Sequence, residues 1–98
     1  LTLEGEYRIN LRLYNEYKKF HIDSAIHYVD RNIEISRQLN RPYFTNQSSL
    51  HLSLLYSMCG RFREAEIILK SIKTSELPRD LFQFLGTLFD FCRQQSVW

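Results

Sequence analysis

The sequence predicts an all-α protein built of antiparallel helix hairpins, and three observations carry this prediction. Apolar residues recur at steps of three and four along the 98-residue chain, which is the spacing of one face of a helix. Only 3 glycines and 2 prolines interrupt the pattern, so we expect long helices and short loops. No stretch shows the apolar and polar alternation of a half-buried strand.

The first predicted hairpin covers about residues 3–40. Its first helix is expected from about Leu3 to Lys19. Its second helix has the clearest apolar stripe, formed by Ile22, Ala25, Ile26, Val29 and Ile33. This helix should end before Pro42, because the residue that precedes a proline is pushed out of the α region. The proline itself suits the start of the next helix.

The second predicted hairpin covers about residues 43–74. A helix from about Tyr43 to Cys59 is followed at once by Gly60, and glycine accepts the left-handed conformation that closes many helices. A new apolar stripe begins at Phe62. Helix, tight turn and helix therefore form the second antiparallel pair.

A further helix is expected at about residues 79–95, after the break at Pro78. It is apolar on more than one side, and large apolar patches rarely stay bare in soluble proteins. We therefore expect a homodimer through this C-terminal helix. The expected self-association residues are Leu81, Phe82, Phe84, Leu85, Leu88 and Phe89.

The segment from Asn46 to Arg79 resembles a tetratricopeptide (TPR) repeat. The residues that carry the resemblance are Leu52, Tyr56, Gly60, Phe62, Ala65 and Leu69. The resemblance implies a right-handed α-α superhelix of TPR-like hairpins. The interval from Ala25 to Ala65 exceeds the roughly 34 residues of a standard repeat, so we expect unequal units.

A closer resemblance lies in residues 13–20, LYNEYKKF, and residues 23–28, DSAIHY. These runs, and the later stretch from Gly60 to Pro78, are similar to a family of bacterial TPR proteins that act as transcriptional regulators. In that family the repeats precede a membrane span, a coiled coil and a DNA-binding domain. The resemblance therefore implies a signal-receiving segment, either outside the cytoplasmic membrane or in the cytoplasm.

Charge and hydropathy bear on which partners this segment contacts. The net charge is only +2, from 13 basic and 11 acidic residues that are interspersed, so we expect no direct contact with nucleic acid. No apolar run is long enough for a bilayer-spanning helix, so we expect no membrane insertion. Because the chain starts at Leu1 rather than Met, we expect it to be a segment of a longer protein.

No motif in the sequence predicts catalysis, a cofactor or a metal. His21, His27 and His51 do not share the spacing of a ligand cluster with cysteines or acids, whereas metal sites need three or four convergent ligands. We expect a protein without enzymatic activity. Cys59 and Cys92 are expected as free thiols, because the helices that carry them should pack too far apart for a disulfide.

The first helices of stacked hairpins line a concave face that binds peptides or partner helices. The residues expected on that face are Arg12, Asn15, Lys19, Asn46, Gln47, Ser49 and Ser53. The sequence thus favours a non-catalytic interaction or sensor module that binds a protein or peptide. Two alternatives stay open: a self-association or scaffold module, and a receptor groove for a peptide or small ligand.

Overall fold

A computed structural model of the protein describes residues 2–73, 75 and 77–95. Within these ranges the chain forms five helices and no strand. The helices are α1 (Leu3–Tyr17), α2 (Ile22–Gln38), α3 (Pro42–Met58), α4 (Phe62–Ser71) and α5 (Arg79–Gln95). The predicted all-α fold class is therefore confirmed. The expected end of the second hairpin, residue 74, lies outside the described residues.

Local chemistry sets the helix starts. The side-chain oxygen of Thr2 accepts the N–H of Gly5 at 2.9 Å, and Nδ1 of His21 accepts the N–H of Ser24 at 3.2 Å. Each of these bonds satisfies one of the amide groups that a helix leaves unpaired in its first turn. Pro42 opens α3, where its missing N–H costs nothing.

Two short turns reverse the chain on either side of α3. Asn40 has φ of 53° and Gly60 has φ of 84°, and both values lie in the left-handed region that ends many helices.

The first helix ends earlier than the sequence predicts. The N–H of His21 bonds the carbonyl of Tyr17 at 2.7 Å and closes a turn there, so Lys19 lies in this turn rather than in α1.

The helices are arranged in two layers. Each helix packs against the next one in the chain. The hydroxyl of Tyr7 in α1 lies 3.0 Å from Oγ of Ser48 in α3, and Oγ of Ser57 in α3 lies 3.1 Å from Sγ of Cys92 in α5. One layer therefore contains α1, α3 and α5, and the other contains α2 and α4.

Two apolar clusters fill the space between the layers. The first cluster is formed by Tyr14, Ala25, Val29, Leu52 and Leu55, and the second by Leu50, Ala65, Leu69, Ile72, Leu88 and Cys92. Ala25 and Ala65 are fully buried, and their small side chains let the neighbouring helices approach closely. No helix in the described part of the chain is long and apolar enough to cross a membrane.

Candidate interaction surfaces

One row of side chains follows the outer side of α1. Arg8, Arg12 and Asn15 are exposed and succeed each other at steps of four and three, so they share one helix face. Lys19 continues the row from the turn that follows α1, with its ammonium 3.9 Å from a carboxylate oxygen of Glu16. Of the residues expected on the concave face, the three from this part of the chain are therefore on the surface.

A second row follows α3 beside the first. Its residues succeed each other at steps of three and four: Tyr43, Gln47, His51, Leu54 and Met58. Tyr43 is 42% exposed and Met58 is 50% exposed, while the others are half-buried. Together the two rows form what we call the α1/α3 face, composed of Arg8, Arg12, Asn15, Lys19, Tyr43, Gln47, His51, Leu54 and Met58.

Tyr7 and Tyr14 are buried residues of α1 outside the first row, and they join α1 to the second row. The hydroxyl of Tyr7 donates to Oε1 of Gln47 at 2.9 Å. The ring of Tyr14 stacks on His51 with ring centroids 4.4 Å apart, and Nζ of Lys18 lies 5.1 Å from the centroid of the Tyr14 ring. The floor between the rows is therefore built from stacked rings with a cation at one side.

Burial shifts the pKa values of Tyr14 and His51, the two titratable side chains stacked in this floor. It raises the pKa of Tyr14 to about 12, because the charged phenolate would lose its hydration. Burial, and next the positive charge of Lys18, lower the pKa of His51 to about 4. His51 is therefore neutral at neutral pH, and the α1/α3 face keeps an uncharged imidazole among its cations.

Two of the residues expected on the concave face lie in the interior instead. Asn46 is 5% exposed, and its side chain donates to the carbonyl of Lys73 at 3.1 Å and accepts the N–H of Lys73 at 3.4 Å. Ser53 is fully buried and donates to the carbonyl of Ser49 at 2.9 Å. This corrects the expectation for Asn46 and Ser53, which serve packing and hydrogen bonding rather than a surface.

Ser49 is also displaced from the expected face. It is half-buried and lines a groove between α2 and α4, together with Ile33, Ile68 and Ser71. That groove lies on the opposite side of α3 from Tyr43 and the other α3 members of the α1/α3 face. Of the four α3 residues that the sequence proposes, only Gln47 lies on this face.

The sequence reasoning missed the apolar part of the α1/α3 face. Leu54 and Met58 are not among the residues that the sequence places on the concave face. Met58 is 50% exposed to solvent, and Leu54 is half-buried. The signal that could have found them is their helical register with Tyr43 and Gln47, since the four residues follow one another at steps of four and seven.

The last helix has one packed and two unpacked sides. Leu88 is buried, which corrects the expectation that it takes part in self-association. Leu81, Leu85 and Phe89 are partly buried against the second apolar cluster and expose only part of their surface. The large side chains of α5 that remain exposed are Phe82 at 51%, Phe84 at 41% and Phe91 at 46%.

The described residues contain no cluster suited to metal chemistry. No group of three or more histidine, cysteine, aspartate or glutamate side chains converges there. Cys59 is exposed and Cys92 is buried, and both are free thiols. Sγ of Cys92 lies 3.1 Å from Oγ of Ser57, so this buried thiol packs against a polar neighbour in the interior.

Comparison with known proteins identifies the fold family. The model of the SusR N-terminal TPR domain matches residues 1–92 of this chain. Searches of curated proteins and of solved structures gave no match. The family model spans nearly all of the two-layer stack described above, including both rows of the α1/α3 face. The chain belongs to the SusR N-terminal TPR domain family.

Proposed function

We propose that this domain is a non-catalytic interaction module of a bacterial transcriptional regulator, and that it receives its signal by binding a protein or peptide on the α1/α3 face. TPR domains are in general modules for protein interaction, and membership of this family supports that part. The regulator part rests on the resemblance of residues 13–28 to bacterial regulators.

The observation that carries the proposal is the pairing of apolar and cationic side chains on one face. Tyr43 and Met58 expose large apolar surfaces, and partly buried Leu54 lies between them along α3. Arg12 and Lys19 are exposed on the α1 part of the same face. Aromatic residues and methionine are enriched at interface centres, and a polar rim orients the partner, so this face has the composition of a binding site.

A catalytic reading has no support in the same geometry. The titratable groups at the floor of the face are Tyr14 and His51, and both are held in their neutral forms at neutral pH. A general base should have a pKa near the working pH, and that of His51 at about 4 is far below it. Binding is the chemistry that these side chains fit.

Peptide selection followed by paired substitutions tests the proposal. A displayed library of random peptides is selected on this domain, and the affinity of the recovered peptides is measured for each variant. Met58→Glu places a charge in the α1/α3 face. Ile67→Glu is the matched control, because Ile67 is 63% exposed on α4, in the opposite layer.

We expect Met58→Glu to weaken the selected peptides at least tenfold, as loss of an apolar anchor of about 1.4 kcal/mol would do, and Ile67→Glu to leave them unchanged. Equal effects of both substitutions, or an effect of Ile67→Glu alone, would overturn the assignment of the face. Failure to select any peptide would argue against the interaction module itself.

We also propose homodimer formation through α5 as a second function. The exposure of Phe84 and Phe91 supports it, because these two residues are seven apart and share one side of α5, where adjacent aromatic surface is costly to leave in water. Light scattering over a dilution series tests it with Phe84→Glu. Phe20→Glu is the control, since Phe20 is 73% exposed in the turn between α1 and α2.

A dimer that Phe84→Glu dissociates and Phe20→Glu preserves is the expected result. A monomer at all concentrations would remove the self-association proposal. It would leave the α1/α3 face untouched, because α5 contributes no residue to that face.

A further inference from the structure

A polar cavity of about 240 Å³ lies where the end of α2, the start of α3 and the end of α4 meet. Its lining includes the cationic residues Arg37, Arg41 and Lys73, and it includes no aspartate or glutamate. Hydroxyl and amide side chains complete the polar wall, among them Ser36 and Thr45. The cavity therefore combines concentrated positive charge with hydrogen-bonding groups, on a chain whose net charge is only +2.

The cations of this cavity are held in different ways. The guanidinium of Arg41 lies 5.3 Å from the Phe44 ring centroid and 3.3 Å from a carboxylate oxygen of Glu4, so its charge is paired with a residue that does not line the cavity. Arg37 and Lys73 form no ion pair with any carboxylate of the described residues. Neither of these two positive charges is therefore held in an ion pair with a described residue, and Arg37 also borders the groove that Asp30 and Glu34 line.

The cavity wall is fixed by hydrogen bonds. Oγ of Ser36 lies 2.8 Å from Oγ1 of Thr45, which joins α2 to α3. The buried side chain of Asn46 bonds the backbone of Lys73 through both its nitrogen and its oxygen, at 3.1 and 3.4 Å. This contact joins α3 to the chain just after α4. A ligand would therefore meet a wall that is already in place, which lowers the ordering cost of binding.

We propose that this cavity binds a phosphate group, either as inorganic phosphate or as a small phosphomonoester. A dianion with several acceptor oxygens matches the two unpaired cations, Arg37 and Lys73, better than a carboxylate does, and arginine suits bidentate contact with phosphate oxygens. The volume is below the roughly 300–1,000 Å³ of sites for drug-sized ligands, so the phosphate should carry few further atoms.

Titration followed by amide NMR shifts tests the site at constant ionic strength. The probes are inorganic phosphate and glycerol 3-phosphate, with sodium chloride as the reference salt. We expect saturable shifts that centre on Arg37, Arg41 and Lys73. Tighter binding of glycerol 3-phosphate would identify an organic phosphate as the ligand, and equal or weaker binding would identify free phosphate. Both results support the site.

Charge-neutralising substitutions locate the effect. Arg37→Gln and Lys73→Gln each remove one cation from the wall, and both residues are exposed, so the fold should persist. We expect each to weaken phosphate binding about tenfold, because a hydrogen bond to a charged group is lost. Arg63→Gln is the matched control, since Arg63 is exposed on α4 and does not line the cavity.

Shifts that do not saturate, that chloride reproduces, or that Arg37→Gln and Lys73→Gln leave at the strength of Arg63→Gln would overturn the proposal. The outcome does not depend on the partner proposed for the α1/α3 face, which shares no residue with this cavity.

Discussion

The two ends of the helix stack are held together by different chemistry. Where α1 meets α2, Nδ2 of Asn10 donates to Oδ1 of Asn32 at 3.0 Å, and Nδ2 of Asn32 donates to the carbonyl of Tyr7 at 3.0 Å. Where α4 meets α5, the contact is apolar and centres on Leu69 and Leu88. The first end is therefore specified mainly by directional bonds. The second end is held mainly by apolar burial, with Nζ of Lys70 in α4 lying 5.8 Å from the ring centroid of Phe89 in α5.

This difference shows that helices at one end of a short stack can be fixed in a single relative position while helices at the other end tolerate small shifts. Buried hydrogen bonds fix one relative position of two helices, because any shift leaves polar groups unpaired in the interior. Apolar contacts tolerate small shifts at lower cost. The polar end carries the α1 part of the α1/α3 face, so we expect that face to be the better defined of the two candidate surfaces.

The largest expected effect comes from the apolar end. Leu69→Ala removes a buried side chain, 2% exposed, from the second cluster. Lost transfer energy and the remaining cavity should lower the free energy of unfolding by about 2–5 kcal/mol. Urea denaturation measures the change. Ile67→Ala on the exposed side of α4 is the control and should cost far less, so equal losses would contradict the packing described here.

The polar end is tested by a double-mutant cycle on its buried amide pair. Asn32→Ala leaves the Asn10 side chain and the Tyr7 carbonyl without their partner, which should cost about 1–3 kcal/mol. Asn10→Ala removes the same amide bond from the other side. We expect the double substitution to cost less than the sum of the two, and urea denaturation of all four proteins measures this. Strict additivity would show that the pair does not couple α1 to α2.

The pH dependence of stability should test another contact of α1, the stacking of Tyr14 on His51 of α3. The pKa of His51 is about 4 in the folded protein and has an ordinary value of 6.5. Between these values the unfolded chain binds a proton that the folded chain does not, so stability is full above about 6.5 and falls as the pH drops toward about 4. The loss should be about 1–3 kcal/mol, allowing for the part of the ring that faces solvent.

The variant His51→Phe isolates this contribution, because it keeps a ring for stacking on Tyr14 and removes the titration. Denaturation at pH 7.5 and pH 5 is compared for both proteins. The substitution should flatten the pH dependence relative to the unaltered protein. The same slope in both would mean that His51 does not carry the effect.

The smallest expected losses of stability come from side-chain contacts between alternate helices. One set of contacts joins α1 to α3, and the other joins α3 to α5. Tyr7→Phe removes the hydroxyl that contacts Gln47 and Ser48, and should cost about 1 kcal/mol. Ser57→Ala removes the contact to Cys92 Sγ, which involves a weak sulfur partner, and should cost less. Thermal unfolding measures both. A larger loss for Ser57→Ala would reverse the proposed contrast between the two ends.

The sequence predicts the helices well because their signals are local. Periodic apolar residues, Pro42 and Gly60 define the segments with little help from tertiary structure. The sequence is weaker on which side of α3 each residue occupies, because apolar residues occur around much of that helix. The amide of Asn46 looks like a surface group, yet it reaches the backbone of Lys73 and becomes part of the interior.

The same limit applies to the buried Asn10–Asn32 pair and to Met58. Polar side chains are buried in a core when a specific hydrogen-bond partner is available there, and for this pair the partner is far away in the sequence. An apolar side chain such as Met58 can equally be exposed when no neighbouring helix covers it. Both outcomes depend on tertiary contacts that periodicity does not encode.

The central claim is that a protein or peptide partner binds across α1 and α3. The most direct measurement is the change in amide NMR shifts of the domain on addition of its tightest selected peptide. We predict that the largest changes fall on the α1/α3 face, at Tyr43, Met58 and the turn that contains Lys19. Largest changes on α2 and α4, for example at Ile67, would contradict the claim.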